Sequence, residues 1–222
     1  MPRPSRSLVR DSLSVSLASG LSGVAFGAAS SAAGFSLWQT CLFSLLTFSG
    51  ASQFAAVGVL VSGGMPLAAI STAGLLGTRN ALYGFQMAPR LGNVGWRKVL
   101  AAHWTIDEST NVGLAQREFG SHAVRTGFWL TGGGLFLFWN LFTLAGALGA
   151  KALGDPAAWG FDAAVPAAFV ALLWPRLKDR FSRLVALFAC CSALGLTPFL
   201  PAGTAIIATV IVAVIAGWRP RS

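Results

Sequence analysis

From Leu13 onward the chain is a succession of apolar runs of about 18 to 26 residues joined by short basic connections, and a bilayer core of about 30 Å takes about 20 helical residues to cross. The ten-residue polar/apolar alternation of an outer-membrane barrel is missing. Only helices and closed barrels satisfy their own backbone in lipid, so the pattern predicts an all-α fold, a polytopic transmembrane helical bundle. The predicted spans are 13–35, 38–62, 65–88, 126–150, 163–174, 184–200 and 202–218, with a weaker segment at 101–116. If every one crosses there are about eight; a re-entrant or surface-lying segment in the first half would leave about seven. The whole of 1–222 reads as one integral membrane domain, with the unusual stretches in a half at about 10–125 and plainer spans at about 126–218.

Polar residues interrupt this pattern in a few places. The second span contains Ser49-Gly50-Ala51-Ser52-Gln53, which suits either a kinked helix or two half-helices meeting inside the membrane. The third contains Gly77-Thr78-Arg79-Asn80, with a permanent cation too far from either end to reach the headgroups comfortably. The segment 101–116 would present His103, Asp107, Thr110 and Asn111 on one surface with Glu108 beside them; it either lines a hydrated space inside the protein or lies on the membrane surface. In the first span Gly23, Gly27 and Ser31 recur at four-residue spacing, a row that lets another helix approach closely. Gly132-Gly133-Gly134 breaks the long 126–150 run, and Asn140 within it reads as interhelical glue rather than as a ligand.

Composition agrees with the pattern: of 222 residues 55% are hydrophobic and only 10% charged, with a mean hydropathy of +0.67. The net charge of +9 would suggest nucleic acid, but the sixteen Lys and Arg are scattered among the connections, as topology-setting residues are, so no nucleic-acid partner is expected. Arg3, Arg6 and Arg10 precede a run too long for a signal peptide, which makes it the first span. Arg176, Lys178, Arg180 and Arg183 form the strongest basic cluster and, with Arg219 and Arg221, put both termini on the cytoplasmic side. Arg90, Arg97 and Lys98 do not fit an eight-span count, which would turn them outward. Trp38, Trp96, Trp159, Trp174 and Trp218 stand at span ends like an aromatic belt, and Asp155-Pro156 sits in a loop. Cys41, Cys190 and Cys191 lie in apolar segments without partners at metal spacing, so they read as packing residues; no metal and no cofactor is implied.

Only Arg79, Asp107 and Glu108 among the charged residues sit well inside apolar segments, where an unpaired charge costs roughly 2.5–3.5 kcal/mol even on the more lenient scales. Such charges have partners or face water. The three either form a structural ion pair or build a pocket with one excess negative charge for an amino-acid zwitterion. In the second case Arg79 or the N–H groups of a broken helix would receive the carboxylate, Asp107 or Glu108 would receive the ammonium, and a carboxyl group would carry a coupling proton. Hydrolase, metalloprotease and P-loop motifs are missing, and His103 beside acids is a weak signal, so the chain is not expected to be an enzyme.

Three stretches in sequence, FSGASQFAAVGVL at 48–60, LLGTRNALYGFQMAPRL at 75–91 and HWTIDEST at 103–110, resemble the AzlC family of branched-chain amino-acid permeases. The resemblance covers roughly residues 10–125. It implies a multi-pass protein of the bacterial cytoplasmic (inner) membrane that exports small amino acids such as valine. It also implies a small hydrophobic membrane subunit of the AzlD type as partner. Carried over by position, Ser52 and Gln53 belong to the family's G-A-S-Q motif, Arg79 to its arginine-containing third span, and Asp107 and Glu108 to its Asp-Glu pair. With Asn80 these are the substrate-binding candidates, and Asp107, Glu108 and His103 are the proton-coupling candidates, roles inferred from the residues and not from the resemblance. Members of the family often follow that arginine with histidine where this chain has Asn80, so a relay through such a histidine would be lacking here. The competing expectation is a channel or structural membrane subunit whose activity depends wholly on a partner.

Overall fold

The computed structural model describes residues 6–153, 164–201 and 204–218, and among these every regular element is helical. The chain runs through α1 (Arg6–Gly20), α2 (Ser22–Ala32), α3 (Leu37–Thr47), α4 (Gly50–Val61), α5 (Pro66–Leu91), α6 (Trp96–Trp104), α7 (Asp107–Ala115), α8 (Ser121–Ala152), α9 (Ala164–Leu173), α10 (Arg180–Leu196), α11 (Thr204–Ala208) and α12 (Val210–Trp218). Arg3, Asp155-Pro156, Trp159, Arg219 and Arg221, to which the sequence assigns topological roles, lie outside the described residues.

Two stretches are long and apolar enough to cross a bilayer by length and composition, Arg6–Ala32 with 27 residues and Ser121–Ala152 with 32. They pack on each other and form the axis of the molecule. The Gly23, Gly27, Ser31 row is the contact surface: a Cβ at Gly27 would overlap the Thr143 carbonyl, one at Gly146 would overlap that of Val24, and Ser31 Oγ donates to the Ala147 carbonyl at 3.4 Å. Small residues let the two backbones touch, which replaces the hydrophobic drive that lipid cannot supply.

The α5 helix has 26 residues, about 39 Å at 1.5 Å per residue, with Pro66 at its start and Gly92 in the left-handed conformation (φ 58°) at its end. The third predicted span is therefore one continuous helix carrying Arg79 near its middle. The basic connection after α9 ends at Asp179, which caps α10 by accepting from the Ser182 N–H at 2.8 Å and the Ser182 hydroxyl at 2.7 Å; those bonds hold its carboxyl below the usual range.

The second predicted span is two half-helices, α3 and α4, separated at Phe48-Ser49, which is one of the two arrangements its polar interruption allows. Three expectations need correcting. The segment 101–116 is divided, into α6 and α7 at Thr105-Ile106. A single surface carrying both His103 and Asp107 therefore does not exist. The glycine triplet does not break α8: Gly132 and Gly133 let the Trp104 side chain lie against the helix, and Gly134 admits Ser16, whose hydroxyl bonds the Thr131 carbonyl at 3.0 Å. Asn140 is not glue between helices, because its Nδ2 donates to the Phe136 carbonyl of its own helix at 2.7 Å.

The outer surface is apolar. Leu46 on α3, Leu67, Ile70 and Phe85 on α5, Leu137 and Leu141 on α8, Leu187 and Phe188 on α10 and Ile215 on α12 all point away from the bundle. Buried inside are Ser12, Ser16, Ser30, Thr40, Ser44, Gln53, Thr131 and Thr143. A bundle whose solvent is hydrocarbon has this distribution, with small polar side chains inside, some of them bonding between helices as Ser16 and Ser44 do, and large aliphatic ones outside.

Candidate functional site

The cavity lies where the two helix breaks face each other, and the residues that brace the breaks explain why it stays open. At the first break Gln53 is wholly buried; its Nε2 donates to the Ser44 carbonyl at 3.2 Å, and its Oε1 accepts from Trp139 Nε1 at 2.9 Å. One side chain thus gives the Ser44 carbonyl, which also accepts from the Phe48 N–H at 3.3 Å, a second donor and ties the break to α8. Trp139 belongs to an aromatic cluster with Phe26 and Phe54, whose rings lie 6.2 Å and 6.4 Å from it. At the second break the Ser109 hydroxyl accepts from the Ile106 N–H at 3.1 Å and donates to the Trp104 carbonyl at 2.7 Å. Thr105 Oγ1 donates to the Ala101 carbonyl at 2.6 Å, closing the end of α6.

Between the breaks is a cavity of about 330 Å³, at the small end of the ~300–1,000 Å³ usual for ligand sites. Ser49, Gly50 and Ala51 bring the start of α4 to its wall, Ile106, Asp107 and Glu108 the start of α7, and Arg79 reaches in from α5. Phe48, Phe54, Leu135 and Trp139 form an apolar side, and Ser19 and Ser22 from the α1–α2 joint complete it. Gly50 has no room for a side chain, since a Cβ there would stand 2.8 Å from the rim of the Trp139 indole.

The two helix starts differ in polarity. The first hydrogen bond of α4 runs from the Gln53 N–H to the Ser49 carbonyl at 2.9 Å, and no described side chain caps the N–H groups of Gly50, Ala51 and Ser52. Their partial positive charge is therefore free at the cavity wall. The α7 helix instead begins on its own anions, Asp107 and Glu108, which the helix dipole favours.

Asp107 lies between two guanidinium groups: Arg79 Nη2 is 3.6 Å from Oδ1, and Arg176 Nη2 is 3.1 Å from Oδ2. Arg176 comes from the turn after α9, whose Ala171 also lines the cavity. The sequence gives Arg176 only a topological role, and no local signal links it to a carboxylate 69 positions away. Its presence changes the charge balance, for with Arg79 and Arg176 against Asp107 and Glu108 the expected excess negative charge is cancelled. Among the described residues Glu108 makes no ion pair within 4 Å, so it remains the acid open to an incoming cation.

The six sequence-predicted residues do not form one pocket. Arg79, Asp107 and Glu108 meet at the cavity, whereas Ser52 and Asn80 line a separate groove of about 570 Å³ between α3, α4 and α5, divided from the cavity by Ser49. Gln53 reaches neither, and both ends of its amide have protein partners. His103 also lies outside the cavity lining, with its ring against Phe48 at 5.8 Å and Phe136 at 5.6 Å. Phe54 and Trp139 are among the lining residues that sequence reasoning missed; their aromatic character within a span looks the same as ordinary core packing.

A family model described as AzlC protein matches residues 14–153, a stretch that takes in both helix breaks and Arg79, ends just after α8 and excludes Arg176. Comparison with curated proteins and with solved structures gives no match.

Proposed function

We propose that this chain, which belongs to the AzlC family, is a membrane transporter that exports small branched-chain amino acids such as valine through the cavity between its two helix breaks. The family is a membrane protein family associated with branched-chain amino-acid transport. The observation that carries the reading is the opposed polarity of the two helix starts across one small, partly apolar chamber. A zwitterion matches it. Its carboxylate meets the uncapped N–H groups of α4 with Arg79 beside them, and its ammonium meets Glu108 on α7. An aliphatic side chain faces Phe48, Phe54 and Leu135, which offer it no hydrogen-bonding group.

Asp107 is the hinge of the mechanism. Held by two arginines, it leaves the guanidinium of Arg79 partly free for a substrate carboxylate, because Arg176 can carry the pairing alone. Protonation of Glu108 or Asp107 would couple movement of the substrate to the proton gradient. His103, packed between two phenylalanines, is less suited to that task.

The same reading places the chain in the bacterial inner membrane with about seven or eight crossings, α3–α4 and α6–α7 being interrupted segments that meet at mid-membrane. Irregular backbone at that depth is tolerated where it lines a cavity, as both breaks do. A small AzlD-type subunit is the partner the family likeness suggests. Valine efflux from cells expressing the chain with and without such a subunit tests the proposal: Arg79→Ala and Glu108→Gln should abolish efflux at unchanged membrane abundance. Unchanged efflux in both would assign the chain a structural or channel-like role.

A further inference from the structure

A second polar site lies at the far end of α5, away from the cavity. Leu91, Gly92, Asn93 and Val94, Arg97 at the start of α6, and His122, Arg125 and Trp129 on the first turns of α8 surround a hollow of about 480 Å³. Each of its polar side chains can donate, Arg97 and Arg125 can do nothing else, and no carboxylate lines it among the described residues. Arg125 is fixed in place: its Nε donates to the Arg90 carbonyl at 3.2 Å, and its Nη2 lies over Gly92, where a Cβ would come within 2.9 Å. That bond occupies one of the five guanidinium donors and leaves the others for a ligand. Arg97 lies over the Trp96 ring at 5.9 Å, and Asn93 Nδ2 is buried with no acceptor among the described residues.

We propose that this hollow is a binding site for the phosphodiester headgroup of an anionic phospholipid. Two arginines and an unsatisfied amide donor call for an anion with several oxygens, and planar guanidinium groups match phosphate geometry. The lipid source follows from the walls and the position. Leu91, Val94, Trp129 and Leu130 give the hollow an apolar side of no use to a free ion. The site also stands where a 26-residue and a 32-residue helix end, with Val94 and Trp96 exposed beside it, as at the border between headgroups and acyl chains. The lipid phosphate would neutralise the cluster of Arg90, Arg97 and Lys98 that an eight-span topology leaves on the outer side.

Native mass spectrometry of the full chain released from detergent tests this, with dioleoyl phosphatidylglycerol, dioleoyl phosphatidylcholine and inorganic phosphate as probes. One phosphatidylglycerol should stay bound under conditions that strip phosphatidylcholine. Arg97→Gln should weaken retention about fivefold, the size expected for one basic residue near an anionic surface. Arg125→Gln should do the same or more, with thermal unfolding checking that loss of the Arg90 carbonyl bond has not undone the fold. If that variant unfolds, Arg97→Gln combined with His122→Gln replaces it. Lys178→Gln, in another basic connection, should leave retention unchanged. The proposal is overturned if the two lipids are retained equally, if Lys178→Gln weakens binding as much as Arg97→Gln, or if millimolar inorganic phosphate displaces phosphatidylglycerol.

Discussion

The α3–α4 and α6–α7 breaks are built alike and charged in opposite senses. Each ends a helix, turns through extended backbone at Ser49 or Ile106, and starts another helix at the same cavity. Each is braced by one polar side chain that bonds across the gap, Gln53 in the first and Ser109 in the second. The α4 start, however, has bare N–H groups and no charge of its own, while the α7 start carries two carboxylates. The positive end of α4 therefore has no protein anion capping it and suits a foreign carboxylate, whereas the positive end of α7 is already compensated and presents negative charge to the same chamber. A pair of breaks with equal polarity would bind a simple ion. Opposite polarity orients a molecule that carries both charges.

Breaking that opposition at its centre should have the largest effect. Arg79→Ala leaves Asp107 to Arg176 but takes the guanidinium away from the substrate carboxylate; transport should fall by about ten- to a hundredfold, the equivalent of one charged hydrogen bond of roughly 1.5–3 kcal/mol. Efflux normalised to the amount of protein in the membrane reads this out. The braces come next. Gln53→Leu strands the Trp139 N–H and removes one bond to the Ser44 carbonyl in a sealed core, so the protein should lose about 2–3 kcal/mol in detergent unfolding. Ser109→Ala should lose less, about 1–2 kcal/mol, because a small hydroxyl rather than an amide is deleted. Equal losses would mean that the first break is no more strongly braced than the second. Arg176→Gln should have the smallest effect, a change in efflux of about fivefold or less, since a pair whose arginine is largely exposed contributes only about 0–1 kcal/mol. A collapse of transport in that variant would make Arg176 part of the binding site itself.

Helix content and a close-packing face on α2 were legible in the sequence because both depend on local pattern, long apolar runs and the Gly23, Gly27, Ser31 row, whereas α8 as the helix that meets this face was not. The first break was legible as well, since Gly50 and three polar neighbours interrupt an apolar run. The second was not. Thr105 and Ile106 carry no Gly or Pro, and the split depends on Ser109 capturing the Trp104 carbonyl, a contact that composition does not announce. Gly132-Gly133-Gly134 misled in the other direction, because glycine in a membrane helix serves close approach as often as bending, and here Trp104 and Ser16 fill the space. Arg79, Asp107 and Glu108 stood out because charge is costly in an apolar segment. Arg176 did not, since in a basic connection it looks like any residue that sets topology.

The central claim is that the two helix starts read the two ends of one zwitterion, and competition against labelled valine binding to the detergent-solubilised protein tests it most directly. The competitors are valine's amine, which lacks the carboxylate, and its 2-oxo acid, which lacks the ammonium. The wild-type protein should discriminate against each by at least about tenfold, the equivalent of one charged hydrogen bond of roughly 1.5–3 kcal/mol. Arg79→Ala should erase the discrimination against the amine alone, and Glu108→Gln that against the 2-oxo acid alone. If both variants discriminate as the wild type does, the cavity between the breaks is not where the amino acid is recognised.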